Sequence, residues 1–225
     1  MLTVLREAAY FARHQFQPLF QIALLYTLPS LTVELALGGT PPAGMSASLL
    51  NGFFLCLGIL QFGAAILYID ARVQGHGISP GQAIGRALQR LGGLLLVNLL
   101  MGLLVFGGLM LLVLPGLFLA YKLVFAELFL LLHRQNPVDA LKSSYQATTG
   151  LAGSLLPPLL FWGSLVAAGS LLPLMSAQEG GADPLMLVVH HLLMLGLSIW
   201  GWALIYRLYQ QHIVPPTTLP QEPTV

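Results

Sequence analysis

Charge is what this sequence has least of. Asp, Glu, Lys and Arg make up 8% of its 225 residues, whereas a soluble domain carries roughly 25%. A chain this poor in charge cannot keep most of its surface in water. Its nine basic and eight acidic residues nearly cancel, to a net charge of +1. That leaves no whole-protein field to hold nucleic acid. Cysteine is almost missing as well. Cys56 alone can form neither an internal disulfide nor a thiolate metal cluster, and its position inside an apolar run suits a small buried side chain. No P-loop, dinucleotide fingerprint or Ser/His/Asp order is present. These gaps point away from an enzyme, and no cofactor is expected.

Hydrocarbon is what the chain has instead. Apolar residues make up 56% of it, and the mean hydropathy is +0.82. A bilayer core takes about 20 apolar residues per helix, so six spans would use just over half of the chain. The rest suffices for short loops and tails. The candidate spans are Pro18–Leu37, Leu49–Ile69, Gly92–Leu114, Gly116–Leu132, Leu151–Met175 and Leu185–Tyr206. Arg6 and Arg13 before the first apolar run imitate a signal peptide. The run is too long for one, and Pro29 and Glu34 interrupt it, so a retained first helix is expected.

The stretch from Leu91 to Leu132 is far too long for one crossing at 1.5 Å per residue. Leu114-Pro115-Gly116 is the strong breaker near its middle, which predicts a tight helical hairpin there. Charge supports the split. With six crossings, Arg6, Arg13, Arg72, Arg86, Arg90, Arg134, Lys142 and Arg207 all fall on one side, and Lys122 alone lies inside a span. The loops Gly38–Ser48 and Ser176–Pro184 hold no Lys or Arg. The positive-inside rule then puts both termini in the cytoplasm.

Internal repetition organises the spans. Ser79-Pro80-Gly81-Gln82-Ala83-Ile84 aligns with Asn136-Pro137-Val138-Asp139-Ala140-Leu141 at an offset of 57 residues. Each of these segments is amphipathic and precedes two apolar runs. Ala83, Ile84, Ala87, Leu88 and Leu91 form one helical face, and Ala140, Leu141, Ser144 and Tyr145 form its counterpart. Val4, Leu5, Ala8, Ala9 and Ala12 make a weaker third stripe. The expectation is a single all-α membrane domain over residues 1–213, in units of about 1–70, 79–132 and 136–207, with residues 214–225 a disordered tail. The amphipathic helices would either lie in the interface plane, with Arg86, Arg90 and Lys142 on anionic headgroups, or pack on the bundle's own cytoplasmic end.

Leu114-Pro115-Gly116-Leu117, then Lys122, then Asn136-Pro137-Val138-Asp139-Ala140-Leu141-Lys142-Ser143-Ser144 form a block that resembles the YciC-like family of bacterial inner-membrane proteins. It is also similar to the membrane domain fused to some glycerophosphodiester phosphodiesterases. The resemblance implies a bacterial inner-membrane location and a connection to lipid or envelope biology, and it carries no catalytic residues with it.

Polar residues inside spans are the candidate sites. A lysine at the centre of a span costs roughly 2.5–3.5 kcal/mol on insertion scales. Lys122 therefore either lines a polar cavity that binds a lipid phosphate or solute, or makes an interhelical bond that holds the bundle together. Glu127 lies about 140° around the helix from it, so the two do not pair within one helix. Asn98 and Gln61 suit interhelical hydrogen bonds. Glu34, Glu179, Asp183, His190 and His191 gather at the outer face and read as interfacial polar groups, since their spacing does not suit a metal site. Gly116-x-x-x-Ala120 and Gly163-x-x-x-Ala167 predict close helix contacts. No broken mid-membrane helix is evident. Membrane lipids are the expected partners; protein partners stay open. The leading expectation is a non-enzymatic membrane protein that binds lipid or acts in envelope homeostasis. The alternative is a transporter of a small or amphipathic solute.

Overall fold

A computed structural model describes residues 2–37, 44–172 and 183–213. The regular structure of these residues is all helical: α1 (Leu2–His14), α2 (Phe16–Ala36), α3 (Met45–Val73), α4 (Pro80–Gln89), α5 (Leu91–Leu111), α6 (Val113–Lys122), α7 (Ala126–Leu132), α8 (Pro137–Ala147), α9 (Ala152–Ser170) and α10 (Pro184–Ile213). Six segments are long and apolar enough to cross a membrane: α2, α3, α5, the α6–α7 pair, α9 and α10. They match the six expected spans. The tail Val214–Val225 and Glu179 lie outside the described residues.

The spans sort into an inner and an outer set. About half of the most apolar stretch is buried in α3 and in α6–α7, and 39% in α10, against 22%, 17% and 17% in α2, α5 and α9. The inner spans touch one another: α3 packs on α7 and α10, and Tyr209 of α10 meets the rings of Phe125 and Phe129 edge-on. The outer spans expose Leu96, Leu99, Leu103, Phe106 and Leu160. That is the arrangement for helices solvated by lipid, because leucine side chains and acyl chains are equally apolar.

Both amphipathic helices are capped at their N-termini. Ser79 and Gln82 form a reciprocal capping box, with Gln82 N–H donating to Ser79 Oγ at 3.2 Å and Ser79 N–H to Gln82 Oε1 at 3.0 Å. Asn136 Oδ1 accepts from Asp139 N–H at 2.9 Å. Pro80 and Pro137 occupy the first turns, where a missing N–H costs nothing. The helices they start do not lie flat in an interface plane. Both fold back along the preceding span. Ala87 of α4 comes level with Gly63 of α3, and Ser144 of α8 comes level with Lys122 at the end of α6, beyond the start of α7. Small residues permit this: Ala83, Ala87 and Ala140 are fully buried. Leu88 and Tyr145, predicted on the same stripes, stay exposed. α1 docks on α10 instead, through the Glu7–Arg207 ion pair at 2.8 Å and a Trp200 Nε1–H bond to the Leu5 carbonyl at 3.4 Å. Tyr206 ties α10 to α3 by donating to Asp70 Oδ1 at 2.8 Å.

The hairpin turns three residues earlier than Pro115 suggests. Leu112 takes the extended conformation, and Pro115 sits in the first turn of α6. Its absent donor would be unpaired there in any case. Gly116 serves packing and not the turn. A Cβ at Gly116 would come within 2.7 Å of the Leu109 backbone nitrogen, and one at Gly108 within 2.9 Å of Gly116 Cα. The stripe at Gly163 does not form a contact: a Cβ there meets open space. α9 approaches α10 through Trp162 instead, whose ring covers Gly201 and whose Nε1–H donates to the Leu197 carbonyl at 3.0 Å.

Gly116→Val should therefore destabilise the fold by about 1–3 kcal/mol through overpacking against backbone. Gly102→Val, on the same hairpin but facing open space, should be close to neutral. Thermal unfolding of the two variants in detergent tests the comparison, and equal melting shifts would refute it.

Candidate functional site

Span four is broken. Leu123, Val124 and Phe125 interrupt the helix between α6 and α7, with neither proline nor glycine at the break. This overturns the expectation of an unbroken fourth span. The backbone tightens through the gap: Val124 N–H reaches the Tyr121 carbonyl and Ala126 N–H the Leu123 carbonyl. Two groups lose their helical partners, the Lys122 carbonyl and the Phe125 N–H. Ser144 of α8 takes both. Its hydroxyl donates to the Lys122 carbonyl at 2.9 Å and accepts from Phe125 N–H at 3.2 Å. Thr148 Oγ1 lies 3.1 Å from the same carbonyl, and Tyr121 donates its hydroxyl to the Thr148 carbonyl. Irregular backbone at membrane depth survives only where protein groups satisfy it in this way.

Lys122 belongs to this junction. It is 5% exposed. Its Nζ donates to Thr149 Oγ1 at 2.9 Å, stands 3.5 Å from the Tyr145 carbonyl, and lies 4.7 Å from the centre of the Tyr145 ring. The rings of Phe118 and Tyr121 lie further off, at 5.5 and 5.8 Å. Oxygen acceptors and aromatic faces offset the desolvation of the ammonium. Of the two roles weighed for Lys122, the geometry matches the interhelical one.

Glu127 and Asn98 are brought together elsewhere. They line a groove of about 580 Å³ with Tyr26, Asn51, Phe54, Leu55, Gly58, Ile59 and Phe62. Asn98 donates Nδ2–H to the Leu94 carbonyl at 3.0 Å and shares the groove with Glu127. Glu127 Oε2 is shielded and has no hydrogen-bond partner. Glu127 sits about 8 Å along α7 from Leu132, at 1.5 Å per residue. The groove lies between spans and is not enclosed.

A second cavity, of about 490 Å³, meets the first at Tyr26, Gly58 and Phe62. Glu34, Gln61, His190 and His191 line it. The histidines thus face into the bundle. His191 is 7% exposed, with Nε2 3.2 Å from Ser30 Oγ and Nδ1 3.0 Å from the Leu187 carbonyl. His190 Nδ1 lies 3.2 Å from the Gly169 carbonyl. Gln61 donates to the Ala23 carbonyl at 3.3 Å, the interhelical bond its position suggested. Asp183 Oδ1 accepts from Leu185 N–H at 3.0 Å, capping α10. Among the described residues no three His, Cys, Asp or Glu side chains gather as a metal site.

The three basic residues expected at headgroups diverge. Arg86 and Lys142 are exposed. Arg90 is committed: its Nη1 donates to the Leu131 carbonyl at 2.8 Å and the Leu130 carbonyl at 3.3 Å, closing the last turn of α7. Sequence reasoning missed Ser144 as a functional position, although its place on the buried face of α8 marked it. It also missed Tyr26, Asn51 and Gly58.

Ser144→Ala should strand the Phe125 N–H and cost about 1–3 kcal/mol. Amide exchange at Phe125 should accelerate, while exchange in α9 should not. An unchanged rate at Phe125 would show that the hydroxyl is dispensable.

No family model matches the chain, and no solved structure matches it. A UPF0259 membrane protein of Photorhabdus laumondii subsp. laumondii is 30% identical over 104 residues, 46% of this chain. The match spans about two fifths of that protein's length, 41%. The chain is a multi-pass membrane protein similar to a UPF0259 membrane protein, in keeping with its resemblance to the YciC-like family.

Proposed function

We propose that this is a non-enzymatic protein of the bacterial inner membrane that holds a membrane lipid in the groove between α3, α5 and α7. The observation that carries the reading is an open groove between spans whose lining combines polar side chains with an apolar wall from α3. Asn98 and Glu127 supply the polar side chains. Phe54, Leu55, Ile59 and Phe62 supply the wall. A ligand entering from the bilayer need not leave hydrocarbon to reach it. No convergent pair of reactive groups lies in the groove, which favours binding over catalysis. Arg86 and Lys142, exposed on α4 and α8, suit contacts with headgroup phosphates.

One observation favours transport as a second reading. The cavity bearing His190, His191 and Glu34 adjoins the groove at Tyr26 and Gly58, so polar groups occur at several depths between the spans. Polar and ionisable side chains inside a bundle commonly mark solute or proton routes.

Gly58 lies beside the Tyr26 ring: a Cβ added at this glycine would stand 3.9 Å from the ring, with nothing closer. Gly58→Trp should fill the groove and lower the phospholipid retained through purification by about tenfold, equivalent to about 1.4 kcal/mol. Lys122→Met should leave retention unchanged. Native mass spectrometry reads both, and undiminished lipid on Gly58→Trp would refute the groove. The cytoplasmic placement of the basic end predicts that Arg86→Cys, in a Cys56→Ser background, reacts with an impermeant thiol reagent from the cytoplasmic side of membrane vesicles. Labelling from the opposite side would invert the topology.

A further inference from the structure

Glu127 presents a carboxyl oxygen that is shielded from water and unpartnered within a membrane span. A carboxylate in apolar surroundings is costly unless a proton or a cation accompanies it. The nearby cations of the chain are already engaged. Lys122 donates into α8, and Arg90 donates to the carbonyls of α7. Among the described residues the ion pair present is Glu7–Arg207, on α1 and α10. The groove also lacks the ligand set of a metal, since no three metal-binding side chains gather among the described residues. A cation that needs few protein ligands and carries its own N–H donors would complete the site.

We infer that the ligand of this groove is a phospholipid with a primary ammonium headgroup, and that Glu127 selects it by pairing with the ammonium. The inference rests on the lipid-holding reading above. The geometry suits a lipid better than a soluble amine. α3 runs toward the basic end of the bundle, so Phe62, Ile59, Leu55 and Phe54 lie progressively further from that end. They extend for about 12 Å at 1.5 Å per residue. The wall that lines the groove with Glu127 thus leads away from the basic end. That is the direction in which acyl chains of the leaflet at the basic end point. Asn98, anchored on the Leu94 carbonyl, shares the groove with this carboxyl. A primary ammonium offers three N–H donors to such acceptors. A trimethylated ammonium carries the same charge without any.

The test uses the full chain in nanodiscs of equimolar phosphatidylethanolamine and phosphatidylglycerol. The protein is released into detergent, and the lipid that stays bound is identified by native mass spectrometry. Phosphatidylethanolamine should be retained over phosphatidylglycerol by about tenfold, and Glu127→Gln should cut that preference to less than about twofold. Phosphatidylcholine, put in place of phosphatidylethanolamine, should show no preference over phosphatidylglycerol. Helical circular dichroism and a thermal melt establish that Glu127→Gln is folded. If it is not, the comparison of ethanolamine with choline lipid in the wild-type chain decides alone. A preference that survives Glu127→Gln, or equal retention of ethanolamine and choline lipid, overturns the inference. Lipid retained with no headgroup preference overturns the role of Glu127 while the lipid-holding reading stands. No retained lipid of any kind overturns both.

Discussion

In a bilayer a backbone N–H or carbonyl that leaves its helix has no water to turn to, and the fourth span of this protein contains such a pair. The Ser144 hydroxyl accepts from one and donates to the other. Much of the surrounding architecture follows from that bond. α8 must fold back along α7 to deliver the hydroxyl, which is why it does not lie flat at the interface. Thr148 and Thr149 arrive with it, and they give Tyr121 and Lys122 their oxygen partners. The lysine that stood out in the sequence as a candidate for ligand contact is thereby drawn into the structure. The same break lets α7 present Glu127 to the groove independently of α6.

The spans were legible in the sequence because length and hydropathy are one-dimensional quantities. Pro115 marked the hairpin to within a few residues. Ser79 and Asn136 marked helix starts because capping depends on neighbours three positions away. The broken span was not legible. Tyr121-Lys122-Leu123-Val124-Phe125 contains no breaker, and the group that permits the break lies about twenty residues further on. Gly116 and Gly163 sit in similar small-residue patterns, yet Gly116 meets a partner helix and Gly163 does not. Which face of a span meets another span is decided by the lateral order of the helices, which hydropathy does not encode.

The candidate groove shows the same division. Asn98 and Glu127 stood out as polar residues within apolar runs. Tyr26, on α2, and Asn51 and Gly58, on α3, did not, since they acquire meaning only when α2 and α3 pack beside α5 and α7. His190 and His191 were legible as polar residues near one end of a span, but their inward aim depends on Ser30 and Gly169 from other helices. A polar side chain near a membrane boundary can point to water or into a cavity with no change in the local sequence.

The docking of α1 on α10 bears on how the molecule is made. α4 and α8 bind spans that precede them in the chain, so each can settle as soon as it leaves the ribosome. α1 binds through Glu7 to Arg207 and through Leu5 to Trp200, both on the final span. During synthesis α1 cannot complete these contacts until α10 has been made and inserted, with the spans from α2 to α9 translated in between.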